Sequence, residues 1–335
     1  MTKRYLQTSQ AKRLLTEIVG RKVLIIGDVM LDEFLWGKAR RIAPEAPVPV
    51  VEIERETLHL GGAANVAANL AELGAVPILV GVVGKDISAR RLITELERCS
   101  INSALVTDSN RPTTLKTRII AHSQHVVRAD REKKTPVDQQ TQEALVERFL
   151  AFLPEAEAVV ISDYQKGVVT RQLLAAILPP AKERVPVCVD PKMRDLTAYL
   201  PATVITPNIQ EAEAAVGFPI DSPQALLHAG QAIKACLNGA KLIITRGEEG
   251  MTIFDEQVLD VPAVAREVYD VTGAGDTVIA TLAASLACNA TLLEAALLAS
   301  HAAGIVVGKV GTATATPEEV LLSVRQHHPK VSPRR

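Results

Sequence analysis

Lys22-Val23-Leu24-Ile25-Ile26-Gly27 opens on a lysine, runs through four branched apolar residues and stops at a glycine. It does not alternate apolar with polar, so both its faces should be buried, as in a parallel strand covered by helices. Outward from this run the pattern changes period. Ala63, Val66, Ala67, Leu70 and Leu73 recur at helical spacing and Gly74 closes the segment. Strands are expected at 76–83, 158–162, 187–190, 204–206 and 241–245, and a hairpin pairs 251–254 with 258–261. Helices are expected at 86–99, 137–153, 170–178, 209–216, 223–237, 274–286, 292–307 and 317–327. Strands alternating with helices predict an α/β, Rossmann-type three-layer fold with a mainly parallel central sheet.

Two stretches break that rhythm. Residues 31–36 and 48–56 alternate apolar with polar around Pro44-Glu45-Ala46-Pro47-Val48-Pro49, a helix-incompatible turn. Residues 114–120 and 126–129 read as a second antiparallel pair. Together they predict a small β-sheet lid, inserted at about 31–56 and 114–129 into one domain spanning 1–330. Residues 331–335 form a basic tail expected to fray.

Composition narrows the function. The 335 residues carry a net charge of −1 and only 3% aromatics, which argues against a nucleic-acid or scaffold role. No signal-like apolar block opens the chain, and the Ala-rich stretch 277–307 is interrupted by Asn289, Glu294 and His301, so neither export nor a membrane span is expected. Four scattered cysteines fit reduced thiols in the cytoplasm.

The chemistry gathers at Asp270-Val271-Thr272-Gly273-Ala274-Gly275-Asp276, entering an apolar helix. Small residues let a ligand reach the backbone, and a helix N-terminus offers unpaired N–H groups to an anion. A carboxylate there can take a hydroxyl proton while those groups hold a phosphoryl. Alone, the pattern equally fits a helix start capped by aspartate. Asp28, just after the first strand, lies where open α/β sheets bind ligands; Asp28 and Asp32 could accept hydrogen bonds from hydroxyls of a ligand. No Walker A pattern occurs, and Gly27 stands without the further glycines of a dinucleotide site.

Residues 270–281 resemble the second signature of the ribokinase, or PfkB, family of carbohydrate kinases, and Gly61-Gly62-Ala63-Ala64-Asn65-Val66-Ala67 resembles its N-terminal signature. Their order and separation match as well. The resemblance implies a ribokinase-like fold, ATP as phosphoryl donor and Mg2+. It makes Asp276 the base and the backbone of Gly273, Ala274 and Gly275 the anion hole. Gly61 and Gly62 would admit the sugar, with Asn65 on a hydroxyl. Asn208-x-x-Glu211 is similar to the family's magnesium-organising element, with Glu211 acting through water. Thr245, Gly247 and Gly250 would line the nucleotide, and Lys192 would approach its phosphates. Asp270 and Thr272, with the loop 306–311, resemble the potassium site of some members.

Residues 27–50, with Arg40-Arg41-Ile42-Ala43-Pro44-Glu45-Ala46-Pro47-Val48-Pro49-Val50 at their end, resemble family members that phosphorylate D-glycero-β-D-manno-heptose 7-phosphate at O1 for the lipopolysaccharide core. Many of those carry a fused nucleotidyltransferase; this sequence stops near the end of the kinase and is expected to make only the 1,7-bisphosphate. A phosphorylated sugar needs cations, and Arg40, Arg41, Lys116, Arg118, Arg128 and Lys166 are the candidates, Lys116 first. Another sugar or nucleoside substrate, or a non-catalytic ligand sensor, are the alternative readings. Exposed lid edges predict a homodimer through the lids.

Overall fold

Two antiparallel 14-residue strands leave the body of the protein directly from its first strand, and this departure organises the rest. The structure is a computed structural model and describes residues 5–122, 124–264, 268–309 and 311–334. In chain order the elements are α1 (Thr8–Ile18), β1 (Lys22–Gly27), β2 (Val29–Ile42), β3 (Pro49–Gly62), α2 (Ala63–Glu72), β4 (Val76–Val83), α3 (Ile87–Arg98) and β5 (Asn102–Thr107). Next come β6 (Thr114–Ala121), β7 (Gln124–Arg131), α4 (Gln139–Phe152), β8 (Ala158–Ser162), α5 (Arg171–Lys182), β9 (Val187–Asp190), β10 (Val204–Ile205) and α6 (Ile209–Val216). The chain ends with α7 (Pro223–Cys236), β11 (Lys241–Thr245), β12 (Met251–Phe254), β13 (Val258–Val261), α8 (Ala274–Ala287), α9 (Leu292–Val306), α10 (Pro317–Gln326) and β14 (Ser332–Pro333).

The main sheet has the order β14-β13-β12-β11-β10-β9-β8-β1-β4-β5 among the described residues. Strands β5 to β11 in that order are parallel, and β12, β13 and β14 add antiparallel pairs at one edge. β1 is buried on both faces, as its unbroken apolar run requires. Val23 and Ile25 pack into a core with α1, α2, α3, α8, α9 and α10, and Leu24 and Ile26 into a second core with α4, α5 and α7. From β1 the chain builds outward to β4 and β5 on one side and later to β8, β9 and β10 on the other. The loops after β1 and β8 therefore diverge and open a crevice at the carboxyl ends of the strands, where ligands bind such sheets.

The lid is a second sheet of order β3-β2-β6-β7. β2 pairs antiparallel with β3 from Val29 opposite Gly62 to Ile42 opposite Pro49, so the lid strands run much further than 31–36 and 48–56. Glu33 accepts a hydrogen bond from Arg91 of α3 (3.0 Å), which ties the lid's base to the body, and another from Thr117 of the neighbouring lid strand β6 (2.6 Å).

Several expectations are corrected. Helix α1 and strand β5 were absent from the sequence reading; α1 is mostly polar and buries only Ala11, Leu14, Leu15 and Ile18. Helix α5 continues to Lys182 through Pro179 and Pro180 rather than ending at 178. The carbonyls that lose their N–H partners belong to Ala175 and Ala176, both exposed to water, while Ile177, Leu178 and Ala181 remain buried. The C-terminal tail pairs with β13, and the Arg334 guanidinium meets Asp260 at 2.8 Å, so those residues are held rather than frayed.

One packing contact gives a direct test. A Cβ added at Gly230 of α7 would lie 2.0 Å from the ring of Phe254 on β12. Gly230→Ala should cost roughly 1–3 kcal/mol of unfolding free energy through overpacking, read as a lower urea midpoint with an unchanged slope.

Candidate active site

Two helices begin side by side at the crevice. α2 starts after Gly62, whose φ is +56°, and α8 after Gly273, whose φ is +82°. Both are left-handed conformations that glycine adopts without strain. Side chains are excluded there for a second reason. A Cβ on Gly62 would sit 2.5 Å from the Asp28 carbonyl oxygen, and one on Gly273 would sit 2.6 Å from Asn65 Nδ2. Gly61 is equally confined, since its Cβ would meet Asp32 Oδ2 at 2.5 Å. No side chain caps α8, and the N–H of its first residue, Ala274, donates to the Val271 carbonyl at 3.3 Å.

Asp276 is not the cap of that helix. It stands in the first turn, 2% exposed, and its two oxygens are held separately. Asn65 Nδ2 donates to Oδ2 at 2.8 Å and the Tyr164 hydroxyl donates to Oδ1 at 2.8 Å. Asn65 is fixed in turn: Asn69 Nδ2 donates to its carbonyl (2.9 Å), and Thr277 Oγ1 donates to Asn69 Oδ1 (2.8 Å). Burial pushes the Asp276 carboxyl up to about 6; hydrogen bonds from Asn65 and Tyr164 oppose that rise, nearby Asp32 adds to it and Lys116 reduces it. Such a group is ionised at neutral pH yet basic enough to accept a proton.

The lid supplies the opposite wall. Asp32 is 3% exposed and pairs with Arg118 at 2.5 Å. Lys116 lies opposite Asp32 on β6, and its ammonium stands 5.9 Å from the Tyr164 ring centroid. Among the described residues Lys116 has no ion-pair partner. Burial lowers its pKa, against the pull of Asp32. The other predicted cations on this side are engaged: Arg128 with Asp130 (2.9 Å) and Lys166 with Glu132 (2.7 Å). Arg40 and Arg41 are exposed at the far end of β2.

The buried Asp28 carboxylate accepts N–H groups of Tyr164 (2.8 Å), Lys166 (3.1 Å) and Val168 (3.1 Å), and these bonds hold the loop after β8. Tyr164 itself was missed, although Ser162-Asp163-Tyr164 follows a predicted strand at the end where ligands bind.

The nucleotide-side residues lie around the start of α8. A cavity of about 410 Å3 is lined by Thr245, Gly247 and Gly250 on one side and by Ala274, Gly275 and Val278 on the other. A Cβ on Gly275 would meet nothing within 4 Å, so the helix start is open to it. Asn208 caps α6 and forms a reciprocal box with Glu211, at 3.0 and 2.8 Å, while Lys192 pairs with Glu211 at 2.5 Å. Asn208 also bridges to Thr245, joining this cluster to the cavity. Asp190 is pushed well above the usual carboxylate range by burial, then by Asp276 and Glu211. Among the described residues no group of three or more His, Cys, Asp or Glu could hold a metal ion. Arg194 faces elsewhere, lining a groove of about 650 Å3 between α5 and α7.

Asp270 and Thr272 precede α8 as expected. The Asp270 carboxylate accepts N–H groups of Thr272 (2.9 Å) and Gly311 (3.1 Å); burial disfavours its charge, but these bonds win and its pKa falls. Val310, within the later loop of the expected potassium site, lies outside the described residues.

Similarity to known proteins agrees with this geometry. The pfkB family carbohydrate kinase model matches residues 21–319. The chain is 47% identical over 313 residues to the bifunctional protein HldE of Geobacter metallireducens, covering 91% of this chain and 63% of that protein. It is 43% identical over 317 residues to the HldE of Helicobacter pylori, covering 93% and 68%. The chain thus spans roughly two thirds of the length of these relatives. Among solved structures, Escherichia coli phosphofructokinase-2 in complex with potassium aligns with a TM-score of 0.75 at 20% identity, covering 92% of this chain and 99% of that one. Arabidopsis thaliana ribokinase complexed with ribose and ATP aligns at 0.72 and 19%, with coverage of 92% and 99%. A glycine-gated helix start carrying a buried carboxylate, set in a lidded parallel sheet and matched by the family model over most of its length, makes this chain a member of the pfkB family of carbohydrate kinases.

Proposed function

We propose that this kinase transfers the γ-phosphate of ATP to O1 of D-glycero-β-D-manno-heptose 7-phosphate, giving the 1,7-bisphosphate. The observation that carries the reading is a buried base facing an unpaired cation across one crevice: Asp276 on α8 and Lys116 on the lid. The first can take the proton of the anomeric hydroxyl, and the second can meet a phosphate already on the sugar. The identity to HldE proteins over the kinase part and the resemblance of residues 27–50 favour the heptose over other sugars.

In this mechanism Gly61 and Gly62 let the sugar lie against the backbone, with Asn65 and Asp32 near its hydroxyls. Asp276 removes the acceptor proton as the oxygen attacks phosphorus in line. The backbone N–H groups of Gly273, Ala274 and Gly275, at the start of α8, would meet the charge that develops on the phosphoryl oxygens. The adenosine side uses the cavity beside Thr245, Gly247 and Gly250, with Lys192 near the phosphates. Glu211 and Asn208 would hold Mg2+ through water; when bound, it neutralises phosphate charge. Asp270 and Thr272 would serve a monovalent cation such as potassium. The lid covers the site and limits ATP hydrolysis by water.

The proposed protein works in the cytoplasm as a homodimer. All four cysteines are free, and among the described residues no helix is long and apolar enough to cross a membrane. The lid exposes Ile42, Ile53, Val126 and Val127, each at least 40% accessible, which a second lid would cover. Sedimentation at micromolar protein should give a dimer mass, and Ile53→Asp with Val127→Asp should give monomers; a monomeric parent would refute this assembly.

ADP release across a panel of sugars and their 7-phosphates tests the substrate, with the heptose 7-phosphate expected to give the highest kcat/KM. On that substrate Asp276→Asn should lower kcat by about 10^2–10^4-fold with sugar binding retained. Activity of the parent should fall as pH drops through about 6, where Asp276 takes up a proton. The stability effect has the opposite sign. A raised carboxyl pKa stabilises the fold below the unfolded value of about 3.8, and that share is lost as pH rises through about 6. Lys116→Met should raise the KM of the sugar phosphate about 10- to 100-fold while leaving the KM of an unphosphorylated sugar within about threefold. Equal losses for both sugars would remove Lys116 from the phosphate site.

A further inference from the structure

Tyr164 is unused by the mechanism above, yet more of the structure is arranged around it than around any substrate-facing side chain of the lid. It follows β8 in a loop whose backbone wraps the Asp28 carboxylate, with Gln165 at φ +52° and Gly167 at φ +89°. From the other side the Arg111 guanidinium donates to the carbonyls of Lys166 and Thr135, both at 2.9 Å, and Asp163 accepts the N–H of Gln165 at 2.7 Å. The ring is confined between Gly62, whose added Cβ would stand 3.5 Å from it, and the Lys116 ammonium. Only the hydroxyl reaches the catalytic carboxylate, 2.8 Å from Oδ1, on the opposite side from Asn65. Burial and the neighbouring Asp276 hold the phenol well above its ordinary pKa, so it remains a donor throughout the working range.

We propose that Tyr164 is a positioning residue for the base: its hydroxyl, set by the Asp28 cradle, keeps the Asp276 carboxylate ionised and in one rotamer, leaving the remaining lone pairs to the acceptor hydroxyl. This rests on Asp276 being the base. The step balances without an added reactant. The acceptor O–H bond breaks, its proton passes to Asp276, its electron pair forms the bond to the γ-phosphorus, and the bond to the β-phosphate oxygen breaks to release ADP. Tyr164 keeps its proton throughout. Its hydrogen bond is stronger to the charged carboxylate than to the neutral acid, so it favours the form that is ready to accept. The other groups facing Asp276 are Asp32 from β2 and Asp190 at the end of β9, which disfavour its charge, and Lys116 from β6, which favours it; Asn65 from α2 is uncharged.

The test is the pH dependence of kcat and KM for Tyr164→Phe and for 3-fluorotyrosine at position 164, beside the parent and Asp276→Asn, from pH 5 to 9 with the acceptor that supports turnover. For Tyr164→Phe the acid limb should move up by about one pH unit, plateau kcat should fall about tenfold, and KM should change less than about threefold. The fluorinated ring is nearly isosteric and a stronger donor, so it should fold like the parent and move the limb down. The difference in melting temperature between each protein and its Asp276→Asn counterpart, followed over pH 5 to 8, reads the same ionisation without substrate. An unmoved limb and unmoved stability profile, with Asp276→Asn inactive, would overturn the positioning role. A raised KM with an unmoved limb would make Tyr164 a substrate ligand and also overturn it. Parent-like turnover in Asp276→Asn would instead refute the base reading, an outcome recognisable on its own.

Discussion

The burial of one ionisable carboxylate constrains everything near it. Asp276 is 2% exposed and stands close to Asp32 and Asp190, surroundings that disfavour its charge. Its ionised form depends on two donors placed on separate oxygens and on a cation across the crevice. The three come from different parts of the chain: the donors Asn65 from α2 and Tyr164 from the loop after β8, and the cation Lys116 from the lid. Bringing them together requires α2 and α8 to approach closely. This explains the run of Gly and Ala at both helix starts and the internal lock of Asn65, Asn69 and Thr277.

The lid obeys the same constraint. β2 continues from β1 with only Asp28 between them, and β3 runs directly into α2 through Gly61 and Gly62. The lid strand β3 and helix α2, which carries Asn65, are therefore one stretch of chain, and Gly62 at their junction packs against the Asp28 carbonyl. Glu33 and Glu56 meet Arg91 of α3, so the base of the lid is braced against the body while its tip extends freely. A carboxylate at the switch point of the sheet would ordinarily be expected to bind ligand. Asp28 accepts three backbone N–H groups of the loop after β8 and so fixes where that loop stands.

Much of the architecture was legible in local patterns. The unbroken apolar run at 22–27, the alternation in the lid strands and the hairpin at 251–261 each have one physical period and one sensible environment. Elements were missed where the period is weak. α1 is mostly polar with a thin apolar stripe, β5 is a half-buried strand at the edge of the main sheet, and α5 crosses two prolines because exposed carbonyls can turn to water.

The sequence by itself determined that small residues flank a carboxylate at a helix start, and that Gly61-Gly62 and Asn65 stand in a stretch resembling the family's N-terminal signature, because glycine and alanine are recognisable wherever backbone must come close. Tertiary structure alone decided which polar groups reach that carboxylate. Asn65 and Asp276 are 211 positions apart, and Tyr164 and Asp276 are 112 apart. It also decided which cations are already paired and that Asp28 holds the loop after β8. Hydrogen bonding and charge pairing depend on distances across the fold, and no local period in the chain encodes them.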